Sequence, residues 1–499
     1  MRLSELFGRA ELPYPPALGD IEIEDIVSDS RRVRRGSLYV CVRGLHVDGH
    51  EKIGDAITNG ATVIVAERVR DVFVGGAAAI FVENTRSVMA RLYHAWYGNP
   101  ADQLKVIGVT GTNGKTSVTW MLSRLFTDLG YRCGLIGTVR CESAGRVLDA
   151  RGPNTLANMT TPEPEVLYAL LAEMVRDGVT HVFMEVTSHA LALGRCDGIA
   201  FDMAVFTNLT QDHLDFHGSM EQYFREKKKL FSMCRRAVVC IDDQAGKDIY
   251  QSIQPIAVSC SIKGSADHTA SNIEIKGTDG CHYTWQTPEG SFPLFVPLAG
   301  QFSVINSLQA AAVAHEYGIS AERVSLALQK IEPVPGRMER VRTDYDAGVR
   351  VLIDYAHTPD ALEKLLQSME RDDGRIILVF GCGGERDRSK RREMAHVASR
   401  YADLTVVTSD NSRSEPPDQI FRDIMRGIDK EKPYVLIPDR REAIRYAIAC
   451  ARRGDTVILA GKGHEKYEIS ADGRHPFDEK RIAEEAIRDH VPPSADDKR

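Results

Sequence analysis

The stretch Leu104-Lys-Val-Ile-Gly-Val-Thr-Gly-Thr-Asn-Gly-Lys-Thr116 decides the fold. It opens with a short apolar strand, Leu104–Val109, and runs into a glycine-rich turn. Beyond the turn, Val118, Met121, Leu122, Leu125, Phe126 and Leu129 recur at helical spacing. Strand, Gly-Lys-Thr turn and helix together make the context of a phosphate-binding loop. Glycines let backbone N–H groups close around phosphate oxygens, and the helix N-terminus adds partial positive charge. Gly111, Thr112, Asn113, Gly114, Lys115, Thr116 and Ser117 are therefore candidate nucleotide contacts. Lys115 is expected at the β/γ-phosphates and the Thr116 hydroxyl on Mg²⁺. The strict pattern has a glycine where Val109 stands, so the loop is a variant. The alternative is an ordinary strand–turn–helix corner.

Outward from this loop, apolar strands are expected at His181–Val186, Met203–Phe206 and Ala237–Ile241, with helical stretches between them. That alternation implies a parallel sheet with crossovers. Upstream, residues 60–66 read as a strand after a helix at about 52–59, and the turn-rich Tyr97-Gly98-Asn99-Pro100 closes a first block. Downstream of Pro333–Gly336, strands are expected at Val349–Ile353, Ile376–Phe380, Leu404–Thr408, Tyr434–Ile437 and Thr456–Leu459. Thr358-Pro359 suits the start of the helix carrying Leu362, Leu365 and Leu366. This last block reads as a smaller doubly wound α/β domain, with its functional loops at the carboxyl ends of the strands. The polar tail Pro492–Arg499 is expected to be disordered.

At 499 residues the chain calls for two or three domains. Its formal net charge of −7 is opposite to the balance of a chain that grips nucleic acid by backbone charge. The N-terminus lacks the apolar run of a signal peptide. No uncharged apolar stretch approaches the ~18 residues of a membrane span. Ten scattered cysteines without a CxxC pair suit reduced thiols in a cytoplasm.

Further motifs follow in order: Asp29-Ser-Arg31, TTPE at 160–163, MEVTSHAL at 184–191, NLTQDHLDFHG at 208–218, YFREKKKLF at 223–231, GRMERV at 337–342, DYAHTPDAL at 354–362, GCGGERD at 381–387, DNSRSE at 410–415 and GKGHE at 461–465. With the phosphate loop, these resemble the Mur ligase family across essentially the whole chain. Within it they resemble the branch that adds the third residue of the peptidoglycan stem peptide. The resemblance implies an α/β fold of three domains. Residues 1–100 would bind the UDP-sugar. Residues 101–333 would be a central P-loop parallel-sheet ATPase domain. Residues 334–499 would be a Rossmann-like domain for the incoming amino acid. It also implies a cytoplasmic ATP- and Mg²⁺-dependent ligase, monomeric, with sister cell-wall enzymes as candidate associates. Its substrates would be UDP-N-acetylmuramoyl-dipeptide, meso-diaminopimelate and ATP.

Residue by residue, the resemblance assigns catalytic work to Lys115, Glu185, His213 and Lys227. Glu185 ends an apolar strand, where a Walker-B-type carboxylate would hold Mg²⁺. His213 would ligate a second Mg²⁺, although that ion prefers oxygen. Lys227 stands where the family has a carbamylated lysine, an anionic oxygen ligand made with CO₂. For Lys227-Lys228-Lys229 the alternative is a solvated helix face. Asn306 would meet adenine, its alternative being a helix-start asparagine. Arg337 would meet the ATP phosphates and Asp354 the ribose, with His357 nearby. Ser28, Ser30, Leu45, His46 and Val47 would line the UDP pocket. Thr160, Thr161, Thr187 and Arg195 would hold the muramoyl-peptide. Met159 and Leu193 depart from forms that carry asparagine and glutamine there.

The segment Asp410-Asn411-Ser412-Arg413 bears on the amino acid added. Family members that add meso-diaminopimelate carry DNPR, whose arginine binds the distal carboxylate; Ser412 replaces the proline here. A guanidinium fork suits a carboxylate. Arg386, Gly461 and Glu465 would complete the pocket, with Glu465 receiving the distal ammonium. The alternatives are a lysine-adding ligase, another ligase of the superfamily such as a folylpolyglutamate synthetase, and a non-catalytic nucleotide-binding regulator.

Overall fold

A computed structural model describes residues 1–44, 47–68, 73–149, 159–276, 280–344, 348–369 and 374–489. The expected UDP-pocket residues Leu45 and His46, and the tail Pro492–Arg499, lie outside the described residues. Two compact units form. The first gathers Met1–Thr110, Gly130–Val205 and Arg225–Ala237; the second gathers Gly111–Leu129, Phe206–Phe224 and the chain from Val238 onward.

In the first unit, strands Asp25–Val27, Ser37–Val40, Ala61–Ala66 and Ala77–Phe81 pair in parallel, and Phe73–Val74 adds an antiparallel edge. Val27, Tyr39, Ile64 and Ala66 pack with Ala56 of helix Ile53–Thr58 in a small core. The strand that opened the sequence reading runs Lys105–Thr110. It pairs in parallel with His181–Glu185, which in turn pairs in parallel with Cys133–Ile136. Val106, Ile107 and Val109 are fully buried, as a strand covered on both faces requires. Gly108 fits because a Cβ there would press within 2.8 Å of the Phe201 ring. Short strands Cys141–Ser143 and Arg146–Leu148 extend the edge antiparallel.

In the second unit, the phosphate-loop helix runs Lys115–Asp128. The indole N–H of Trp120 on this helix donates to the Glu332 carbonyl at 3.0 Å. Strands His268–Lys276, Gly280–Thr287 and Gly290–Val296 make an antiparallel meander. The alternating strand–helix reading did not anticipate it, because nothing helical separates these strands. The last block matches its expectation closely. Strands Arg350–Asp354, Thr456–Ala460, Ile376–Phe380, Leu404–Val407 and Tyr434–Leu436 lie side by side in that order, all parallel. Apolar clusters cover both faces. Thr358 caps helix Pro359–Gln367 by accepting from Ala361 N–H. The loops after Asp354, Phe380, Val407 and Ala460 all leave carboxyl ends of neighbouring strands, so this topology brings them to one edge. All ten cysteines are free, and only Cys234 and Cys450 are partly exposed. No described helix is long and apolar enough to cross a membrane.

Candidate active site

The phosphate loop is held open by its neighbours. Gly111 (φ +146°) and Gly114 (φ +86°) take backbone conformations that side chains disfavour. A Cβ on Gly111 would overlap the Thr207 hydroxyl. Thr112 N–H donates to the Asn208 carbonyl at 2.8 Å, and Asn113 N–H to the Asn208 side chain at 3.0 Å. The Thr112 hydroxyl meets Tyr223 at 3.2 Å. Lys115 folds back to the carbonyls of Gly111 and Thr112 at 3.0 and 2.9 Å. Thr116 is buried at the helix start, with Ser117 beside it. Asn306 is buried within helix Gln301–Glu316 and not at its start, so the capping alternative falls. Its Oδ1 faces Gly114, where a Cβ would come within 2.7 Å.

Basic side chains gather around Asp212. His213 sits in a left-handed conformation (φ +54°) and its Nε2 lies 3.3 Å from the Asp212 carboxylate. Burial opposes ionisation of Asp212, but His213, His357, Lys115 and Lys390 together hold its carboxyl below the usual range. His357 donates from Nδ1 to the Tyr355 carbonyl at 2.8 Å. Burial, and then the Lys390 charge, push it down to about 4, so it is neutral near pH 7. Arg337 lies over the Tyr355 ring at 4.7 Å, and its buried Nε has no hydrogen-bond partner among the described residues. Asp354 accepts from the N–H groups of Met338 at 2.8 Å and Ala356 at 2.7 Å; burial raises its pKa. Asp360, on helix Pro359–Gln367, accepts from Asn113 at 2.8 Å, from the Thr210 hydroxyl at 3.3 Å and from Lys364 at 2.9 Å. Asp212, Asp360 and Lys390 were not singled out from the sequence. Asp212 and Asp360 sat inside quoted motifs, and Lys390 in none.

In the first unit the expected muramoyl-peptide residues meet around Glu185. This carboxylate is buried and accepts from Thr138 N–H at 2.7 Å and the Thr138 hydroxyl at 3.1 Å. A side chain on Gly137 would overlap it. The Thr138 hydroxyl also meets Thr160 at 2.9 Å. Thr161 donates to the Glu185 carbonyl at 2.8 Å and accepts from Thr187 N–H at 3.0 Å. Arg195 is buried, donating to the Thr161 carbonyl at 3.0 Å and to Glu163 at 2.6 Å. Arg32 forks onto Glu165 at 2.8 and 2.6 Å, which ties the Ser30–Arg32 turn to helix Pro164–Arg176. Ser28 precedes that turn and Val47 is exposed; neither is drawn into the Glu185 cluster. Lys227 settles its own alternative. It is 1% exposed, while Lys228 is partly exposed and Lys229 is exposed, so only the residue that the resemblance singled out is buried.

The last pocket gathers Arg386, Asp410, Asn411, Ser412, Arg413, Gly461 and Glu465. Arg413 has φ +53° and donates to the Gly384 carbonyl at 2.8 Å. Burial, and then repulsion from the nearby Arg386, lower its pKa. Gly383 leaves room for it, since a Cβ there would sit 3.0 Å from Arg413 Nη1. Beneath, the buried Arg391 holds Glu415 at 2.8 and 2.7 Å and Asp423 at 3.0 Å, and its fork keeps the Glu415 carboxyl down at about 2. Across the pocket, Asn411 Nδ2 donates to Glu465 at 2.7 Å. Burial, and then the Asp410 charge, raise the pKa of Glu465. Gly461 passes close to Asp410, where a Cβ would come within 3.0 Å of its carboxylate. Cationic side chains at one end and a carboxylate at the other are the groups a dipolar molecule would need.

A phosphate loop, a buried carboxylate–threonine cluster and a dipolar pocket define a nucleotide-dependent ligase. The chain belongs to the Mur ligase family. Its residues 22–107 match the model described as Mur ligase family, catalytic domain. Residues 109–314 match the Mur ligase middle domain, and 336–463 the Mur ligase, glutamate ligase domain. Among its relatives is the UDP-N-acetylmuramoyl-L-alanyl-D-glutamate–2,6-diaminopimelate ligase of Clostridioides difficile (strain 630). It is 41% identical over 493 residues, covering 98% of this chain and 99% of that protein. The ligase of the same name from Geobacillus kaustophilus (strain HTA426) is 43% identical over 482 residues, covering 94% and 96%. A solved structure of a ligase of that name aligns with TM-score 0.68 and 30% identity, over 98% of this chain and 99% of that one. The MurF ligase from Thermotoga maritima in complex with ADP aligns with TM-score 0.60 at 20% identity, over 94% and 97%, a likeness of fold. The α/β three-domain fold expected from the motifs is therefore the family's.

Proposed function

We propose that this ligase adds meso-2,6-diaminopimelate to UDP-N-acetylmuramoyl-L-alanyl-D-glutamate in the cytoplasm, converting ATP to ADP and phosphate. The observation that carries the choice of amino acid is the Arg386–Arg413 pair opposite Asn411 and Glu465. Diaminopimelate ends in a carboxylate and an ammonium at its distal carbon; lysine has only the ammonium, which would leave the Arg386 and Arg413 guanidinium groups without a substrate carboxylate to bind. The relatives' names support the same reading. The division into residues 1–100 for the UDP-sugar, 101–333 for ATP and 334–499 for the amino acid belongs to this proposal.

The chemistry follows from the weakness of a carboxylate as an acyl donor. The substrate carboxylate attacks the γ-phosphorus, the bond to the ADP oxygen breaks, and an acyl phosphate forms. The amine of diaminopimelate then adds to the acyl carbon and loses a proton. The tetrahedral intermediate expels inorganic phosphate and leaves the amide. Two anions must approach in the first step, so cations offset their repulsion. Lys115 and Arg337 serve the phosphates, and Asn306 and Asp354 the nucleoside. The partnerless Nε of Arg337 suits a phosphate oxygen. Thr116, Glu185, His213 and a Lys227 carbamate are assigned as Mg²⁺ ligands, and the ion supplies charge neutralisation. Lys227 is buried; an ammonium there would repel Mg²⁺, whereas a carbamate would offer it an anionic oxygen. Thr160, Thr161, Thr187 and Arg195 hold the peptide, and Ser28, Ser30 and the 45–47 loop the uridine diphosphate.

The test mixes the protein with ATP, Mg²⁺ and UDP-N-acetylmuramoyl-L-alanyl-D-glutamate. Phosphate release is then compared between meso-diaminopimelate and L-lysine. Release dependent on diaminopimelate, with a tripeptide product by mass, supports the proposal. Release with lysine alone overturns the reading of the pocket while keeping the ligase.

A further inference from the structure

Lys462 lies in the GKGHE segment, and none of the roles above uses it. Its side chain is 0% exposed, in a place where an ammonium persists only if its protons and charge are both met. Nζ donates to Asn411 Oδ1 at 3.0 Å and to the Tyr467 carbonyl at 3.0 Å. It also lies 3.6 Å from Asp410 and 3.9 Å from Glu465. Asn411 Oδ1 accepts a second bond, from Ile469 N–H at 2.9 Å. Both of its partners are donors only, so the amide has one orientation, and its NH₂ must point at Glu465.

We propose that Lys462 is the positioning residue of the amino-acid pocket: its buried ammonium fixes the Asn411 amide and offsets Asp410, so that Glu465 meets the incoming amine as a carboxylate. The inference rests on the proposed pocket and names what makes it work. Glu465 Oε2 is taken by Asn411, which leaves Oε1 for the substrate. The charged and titratable groups facing Glu465 are Asp410, Lys462, Arg413, Tyr355 and Tyr467. Burial and Asp410 push Glu465 toward its neutral form, and the Lys462 charge opposes them. Without Lys462, two buried carboxylates would share one corner, and one of them would hold a proton. A protonated Glu465 has no charge for an ammonium.

The test is a carboxyl titration of the full chain labelled with [δ-¹³C]glutamate, in which the Glu465 signal is the one missing from Glu465→Gln. Lys462→Met is expected to raise the Glu465 midpoint by about one pH unit or more. Asp410→Asn, with Lys462 intact, is expected to lower it, and covers the case in which Lys462→Met does not fold. In turnover, Lys462→Met moves the acid limb of kcat/KM for diaminopimelate to higher pH and leaves the KM for ATP where it was. A Glu465 midpoint that stays put in Lys462→Met, or in Asp410→Asn where Lys462→Met does not fold, overturns the proposal. If the wild-type protein turns over no diaminopimelate, the substrate reading fails, while the titration still decides the role of Lys462.

Discussion

At the residue scale, single charges placed in dry surroundings carry most of the argument. Arg413 is partly buried, feels the Arg386 charge and donates to the Gly384 carbonyl, a setting that suits an anion as its partner. A hydrogen bond to a charged group is worth about 1.5–3 kcal/mol. Arg413→Ala is thus expected to lower kcat/KM for diaminopimelate roughly 10- to 100-fold. The KM for ATP should not change; steady-state phosphate release at varied diaminopimelate checks both. Lys227 makes a different prediction, because its neighbours in sequence act as controls. Lys227→Ala abolishes turnover, whereas Lys228→Ala and Lys229→Ala stay near wild type. Labelling with ¹³CO₂ gives one carbamate resonance that the Lys227 variant lacks. A labelled protein showing only free amine would sink the assignment.

At the scale of elements, helix Pro359–Gln367 does more than pack Leu362, Leu365 and Leu366 into the last domain's core. Its Asp360 reaches Asn113 of the phosphate loop and Thr210, with Lys364 one turn on balancing its charge. Asp360→Ala is expected to raise the KM for ATP about 3- to 10-fold, the loss of roughly one hydrogen bond. The KM for the amino acid should hold, as two-substrate kinetics would reveal. How far such features were legible in the sequence depends on whether their signal is local. The strands at 350–354, 376–380, 404–407, 434–436 and 456–460 announced themselves as apolar runs between helical patterns. The meander at 268–296 did not, because its faces are half-exposed and no helix separates its strands. Lys227 was singled out only through the resemblance, since three lysines in a row read by themselves as a solvated face. Lys462 stood in a quoted motif and was passed over, since a lysine between glycines reads as solvated until the fold buries it. Asp360 and Lys390 gained their neighbours only through tertiary contact.

At the scale of the whole molecule, acid is the vulnerable side. Burial pushes His181, His268 and His357 each down to about 4, from an ordinary 6.5. Each is neutral in the fold and takes up a proton more readily when unfolded. Their contribution to stability is whole above pH 6.5 and is lost as pH falls toward 4. Glu415, held at about 2 from an ordinary 4.5 chiefly by Arg391, adds a loss of the same sign at lower pH. The melting temperature should therefore drop steadily as pH falls from 6.5 to 4. A scanning-calorimetry series across that range that stayed flat would contradict it.

The contact between Trp120 and the Glu332 carbonyl gives the molecule an optical reporter of its own. Trp120 rides the helix that begins at the nucleotide lysine, stacks under the Arg124 guanidinium at 4.2 Å, and grips the chain just before the last block begins. Indole emission depends on the polarity and the charge beside the ring. Adding ATP should change the wavelength or yield of that emission, and a Trp120→Phe variant should be blind to the nucleotide. The protein would then signal the occupancy of its phosphate loop as light, with no dye attached.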